Sequence, residues 1–151
     1  MHRPKLPLDG ACRCGRVKIR ISAPPLITMA CHCTGCQRMS GSAYSLSAAI
    51  PTEGFAVVEG EPVVAGASAE AGHHFCPDCM TWMFTRPQGL DFFVNVRPTM
   101  LEDTSWYSPF AETYTSEKLA WAVTPAEHSY EKFPAMEDLE PLLGAYAQRT
   151  A

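Results

Sequence analysis

Hydrophobic and polar residues alternate most cleanly from Arg16 to Ser22, with Val17, Ile19 and Ile21 on one face and Arg16, Lys18 and Arg20 on the other. A period of two is the signature of a half-buried strand. Four further runs, 42–51, 54–60, 80–86 and 90–96, are short, rich in strand-forming residues and bounded by glycine or proline. Residues 118–123, Lys-Leu-Ala-Trp-Ala-Val, predict one more strand. Pro51, Pro62, Pro87 and Pro98 punctuate these runs at turn-like intervals. Helical spacing is clear in one place, residues 136–149, where Met136, Leu139, Leu142, Leu143 and Tyr146 share a face. Pro141 is assigned to the first turn of that helix, where a missing N–H costs little. A short turn or helix is also expected after Cys36. With no alternation of strands and helices, the chain reads as mainly β, built of antiparallel sheet with one terminal helix.

Length and composition narrow the class. A chain of 151 residues suits one hydrophobic core, and 46% apolar against 19% charged residues is globular composition. No repeat, low-complexity segment or long linker divides it. A formal net charge of −4, without a basic run interleaved with aromatics, argues against a nucleic-acid partner. Apolar stretches end well short of a membrane span. The segment Met1–Gly10 carries positive charge without an apolar stretch behind it, so no signal peptide is read and a cytoplasmic location is expected.

Seven cysteines change the picture. They fall as Cys12 and Cys14, then Cys31, Cys33 and Cys36, then Cys76 and Cys79. In a reducing compartment, clustered thiols are more often metal ligands or catalysts than disulfides, and an odd number leaves one unpaired. The Cys76–Cys79 spacing also suits a redox motif, but such motifs accompany a βαβ pattern that is missing here. Zinc is the metal best matched to clustered thiolates, closed by four ligands in structural sites and left open in catalytic ones. Cys12, Cys14, Cys76 and Cys79 can close one four-sulfur site, and Cys31, Cys33 and Cys36 then form a second with an open position. Spacing permits this split without requiring it. His32, His73 and His74 are further candidates to complete the second site.

Three motifs in this order resemble the glutathione-dependent formaldehyde-activating enzyme and centromere protein V family: Gly-Ala-Cys-Arg-Cys-Gly at 10–15, Cys-His-Cys-Thr-Gly-Cys-Gln-Arg at 31–38, and Phe-Cys-Pro-Asp-Cys at 75–79. Residues 99–122 and 129–134 are similar to the family's later segments. The resemblance implies a β-tent fold of small antiparallel sheets around a structural zinc, over residues 8–134, with 135–151 as a helical extension. It implies that Cys12, Cys14, Cys76 and Cys79 hold the structural zinc, and that Cys31, Cys33 and Cys36 form a second, catalytic-type site. Family members commonly carry glycine where this chain has Met80; Met80 is expected to adopt an ordinary conformation in a slightly altered knuckle.

The activity the resemblance implies is addition of glutathione to formaldehyde, a carbon–sulfur lyase reaction run in reverse, with a small thiol and an aldehyde as partners. Gln37, Arg38 and Tyr44 are the side chains singled out for contact with glutathione or the new alkoxide. A zinc-stabilised binding module without turnover and a thiol-based redox protein are the rival classes. The sequence does not set the oligomeric state.

Overall fold

The computed structural model describes residues 1–151. The strands are β1 (Leu8–Ala11), β2 (Lys18–Ile21), β3 (Ile27–Cys31), β4 (Ser45–Pro51), β5 (Phe55–Glu59), β6 (Val63–Val64), β7 (His73–Phe75), β8 (Trp82–Thr85), β9 (Phe93–Val96), β10 (Ala111–Thr113) and β11 (His128–Ser129). Two helices accompany them, α1 (Thr34–Ser40) and α2 (Met136–Arg149). A three-stranded sheet in the order β1-β2-β5 stands against an eight-stranded sheet in the order β11-β10-β3-β4-β9-β8-β7-β6. Mainly strands with one C-terminal helix is therefore the observed class.

The alternation at 16–22 places Val17, Ile19 and Ile21 in the main core with Ala48, Ile50, Phe55, Phe84, Val94 and Val96, between the two sheets. On strand β4 the next residue, Ala49, faces the other way and joins Ile27, Phe110, Ala111, Leu142 and Tyr146 in a second cluster beneath α2. One strand thus serves two cores, as a period of two allows. The small sheet also meets the segment that follows β9. Gly10 bridges Leu101, and a Cβ at Gly10 would lie 2.8 Å from the Met100 carbonyl oxygen. Only a residue without a side chain permits that approach.

Three expectations are corrected. The large sheet is mixed rather than antiparallel, because β10 runs parallel to β3 and to β11. The connection over residues 97–110 is long enough for the chain to return in the same direction, which a tight hairpin is not. Residues 118–123 are not a strand: Ala122 N–H closes a turn onto the Leu119 carbonyl, and Trp121 and Val123 stand exposed. Strand-type residues without a free edge to pair with do not make a strand. Finally, Pro141 lies at the sixth residue of α2, not in its first turn. It is exposed, so the Glu137 carbonyl it cannot bond faces water.

Candidate metal centres and cleft

The first cluster is assembled from both sheets. Cys12 follows β1, and Gly15 at φ 81° turns the chain back so that Val17 N–H reaches the Cys12 sulfur at 3.4 Å. Cys76 follows β7, and Cys79 N–H points at its sulfur at 3.5 Å. The four sulfurs of Cys12, Cys14, Cys76 and Cys79 all lie within 4.8 Å of one another. Cys12 and Cys14 are 3.5 Å apart, and Cys14 and Cys76 3.7 Å. A disulfide needs about 2 Å, and all seven cysteines are free. Sulfurs at 2.3 Å from a tetrahedral zinc would be about 3.8 Å apart, so the donor set fits that ion.

Charge gives the same answer. The Thr81 hydroxyl, ahead of its backbone N–H, holds Cys79 down to about 5. Cys14 is favoured as thiolate by the Arg16 backbone N–H. Burial and its hydrogen bonds to Cys12, Cys79 and Cys76 nonetheless push it up to about 12. Four sulfurs this close cannot all ionise without a cation among them.

Met80 closes this knuckle, and it departs from expectation. Its φ is +58°, and its N–H bonds the Cys76 carbonyl at 2.9 Å. The turn keeps the left-handed residue that glycine would supply, and the longer side chain tolerates it at a cost.

The second cluster is local. Cys31 ends β3, Cys33 caps α1 by accepting the Cys36 N–H on its sulfur at 3.3 Å, and Gly41 at φ 61° closes the helix. The Glu117 carboxylate accepts from the Thr34 N–H and hydroxyl, both at 3.0 Å, tying the first turn down. The helix expected after Cys36 therefore starts before it. The three sulfurs lie within 4.8 Å of one another, and no histidine or carboxylate shares that sphere. The hydrogen bond from Cys36, ahead of those from Thr113 and Cys33, draws Cys31 down to about 5. The same bond and burial drive Cys36 far up. Three donors of this type suit a zinc site that keeps one position for a ligand.

The histidines have other work. His32 is fully buried, with Nε2 donating to Glu112 Oε1 at 2.7 Å and Nδ1 unpartnered. His73 bonds Thr85, and His74 bonds the Gly72 carbonyl. Gln37 spends its amide protons on the His32 and Glu117 carbonyls, at 2.7 and 3.0 Å. Arg38 is exposed. Tyr44 packs edge-on against His32 and lines a cleft of about 410 Å³.

That cleft lies beside the second cluster. Ser45, which lines it, pairs with Cys31 across β3 and β4, and Ser40, also in its lining, donates to the Cys36 carbonyl at 2.7 Å, while Met80, next to Cys79, forms part of the wall. Trp82 and Arg97 line it too. The Arg97 guanidinium lies 4.0 Å from the centre of the Trp82 ring. Burial lowers it to about 10, against the pull of Cys36, Tyr107 and Cys31. Sequence reading missed Arg97, Trp82 and Glu112. The available signal was faint: Arg97 continues the polar face of a strand whose Val94 and Val96 are buried.

Residues 7–117 match the sequence model of the family described as glutathione-dependent formaldehyde-activating enzyme. The chain belongs to that family. A crystal structure of a Rhodobacter sphaeroides protein superposes with a TM-score of 0.51 at 20% identity, covering 81% of this chain and 98% of that one. At that identity the likeness concerns fold alone. Membership supports a function of the glutathione-dependent, formaldehyde-activating type, and the cysteine clusters are suited to zinc. No helix is long and apolar enough to cross a membrane.

Proposed function

We propose that the protein catalyses the reversible addition of glutathione to formaldehyde, giving S-hydroxymethylglutathione. Cys12, Cys14, Cys76 and Cys79 would hold a structural zinc, and Cys31, Cys33 and Cys36 a second one. The observation that carries this reading is the set of three thiols, within 4.8 Å of one another, beside a ligand-sized cleft whose Ser45 pairs with Cys31 across the sheet and whose Ser40 bonds the Cys36 carbonyl. A zinc held by three cysteines supplies a Lewis-acidic position at which an external thiol is kept as thiolate at neutral pH.

The chain's own residues do the rest. In the forward direction the glutathione sulfur forms a bond to the formaldehyde carbon, the carbonyl π pair moves to oxygen, and that oxygen takes a proton. The thiol proton leaves to solvent. Among the contacts expected from sequence, Tyr44 is the one whose side chain lines the cleft, so its hydroxyl is the donor best placed for the new oxygen. Met39, Leu46, Met80 and Trp82 give the cleft an apolar wall against which the aliphatic part of the ligand can pack. The 8–134 unit is proposed as the working domain, with α2 as an added brace.

Formaldehyde and thiols combine without help, so the test must measure acceleration. Exchange NMR of glutathione with formaldehyde is expected to show faster interconversion with the protein than in buffer, and no acceleration with Cys33→Ser. Equal exchange with and without the wild-type protein would sink the reading.

A further inference from the structure

Arg97 is paired with no carboxylate. The ion pairs of the molecule join Arg16 to Asp78, Lys18 to Glu59, Arg20 to Asp9, Arg149 to Glu127 and His32 to Glu112, and none includes Arg97. Its Nη1 donates to the Leu46 carbonyl at 2.8 Å and its Nη2 makes a long 3.4 Å contact with Thr85 Oγ1, while the buried Nε has no partner. A guanidinium offers five N–H donors, so most of its capacity is unused. A shielded cation is ordinarily paired. The Trp82 ring, 4.0 Å away, attracts this one without neutralising it.

The cleft around it is made for an anion with an aliphatic body. Besides Arg97 its polar lining residues are Ser40, Ser42, Tyr44, Ser45 and Thr99, and no acidic residue lines it. Its volume of about 410 Å³ falls within the range of small-molecule sites, about 300–1,000 Å³.

We propose that Arg97 is the carboxylate anchor of this cleft, selecting thiols that carry an anionic group over those that do not. It is a specificity-determining residue, binding a part of the ligand remote from the reacting sulfur. The identity of the ligand as a thiol rests on the function proposed above; the preference for a carboxylate rests on Arg97 and the cleft lining alone.

The test uses a probe that cannot react. S-Methylglutathione keeps both carboxylates and has no thiol proton; its dimethyl ester has neither carboxylate. Titration of the zinc-loaded protein is expected to show the acid binding about 10- to 100-fold more tightly than the ester, the worth of a charge-assisted hydrogen bond. Arg97→Gln is expected to bind both probes with one ester-like affinity, and Arg97→Lys to retain part of the preference. An undiminished preference in folded Arg97→Gln overturns the inference, as does a wild-type protein that binds neither probe or binds both equally. A change confined to zinc affinity also overturns it, since Arg97 would then serve the cysteines alone. Should Arg97→Gln fail to fold, the exposed Ser42→Asp decides: a carboxylate on the cleft wall must weaken the acid about tenfold and spare the ester, and unchanged binding rejects the proposal. Because neither probe turns over, this outcome is independent of the exchange-rate experiment.

Discussion

The two cysteine clusters use the same ligand atom for opposite ends. Cys12 and Cys14 meet Cys76 and Cys79 across more than sixty residues and two sheets, with Cys12 and Cys76 inside the main core. Cys31, Cys33 and Cys36 come from one six-residue stretch that leaves β3 and enters α1, partly exposed, beside a cleft. Joining distant segments removes more freedom from the unfolded chain than closing a short loop, by about 0.6 kcal/mol per doubling of loop length. On the function proposed above, the first cluster would therefore act on the fold, and the second would add little to it, leaving its binding free energy for a ligand.

The sharpest way to break this contrast is one substitution in each cluster. Structural zinc in small domains is linked to an apparent folding free energy on the order of 10 kcal/mol, comparable with the about 5–15 kcal/mol total of a domain. Cys76→Ser is expected to abolish cooperative thermal unfolding by circular dichroism. Cys36→Ser is expected to keep it, with bound zinc falling from two to one per chain. If both variants melt alike, the division of labour is wrong.

A smaller effect sharpens how the local cluster is held. His32 sits between two of its cysteines, and its ring bonds a Glu112 carboxylate that also accepts from the Ser129 hydroxyl at 2.7 Å. Burial works against the ionised Glu112, but the bonds from Ser129 and His32 outweigh it and hold the group below its ordinary 4.5. A depressed carboxylate contributes stability above its unfolded value that is lost as pH falls through its folded value. Glu112→Gln is expected to cost about 2 kcal/mol at neutral pH, as for a hydrogen bond to a charged group. The gap between wild type and variant should narrow as pH falls below 4.5 and close only once pH has passed the depressed folded-state value, where both side chains are neutral. Denaturant midpoints across that range check it; a gap that persists in acid would place the effect in packing.

The contrast between the clusters was partly legible in advance. Three tight motifs were enough to show which cysteines lie close in sequence, and clean alternation at 16–22 located β2 and its buried face. Strand β10 was not legible, because Ala-Glu-Thr has no alternation of its own and pairs only through its partners β3 and β11. The run at 118–123 misled for the converse reason, strand-like residues with nothing to pair with. Arg97 stayed hidden because its significance lies in what it lacks, a neighbouring carboxylate, and that is a property of three-dimensional surroundings.

Met80 is where the two regions touch, and it carries the smallest expected effect. Its left-handed backbone belongs to the closed knuckle, while its side chain, 55% exposed, walls the cleft. A non-glycine residue there costs about 1–2 kcal/mol, whereas glycine returns about 0.5–1 kcal/mol through the freedom of the unfolded chain. Met80→Gly is thus expected to raise stability by about 0.5 kcal/mol at fixed zinc concentration. Met80→Ala keeps the Cβ and the strain, so it should show no gain, and the pair separates backbone relief from loss of the side chain. Both variants remove the same wall from the cleft and should weaken S-methylglutathione equally. If glycine instead destabilises the protein by more than alanine does, the left-handed turn at Met80 is not strained.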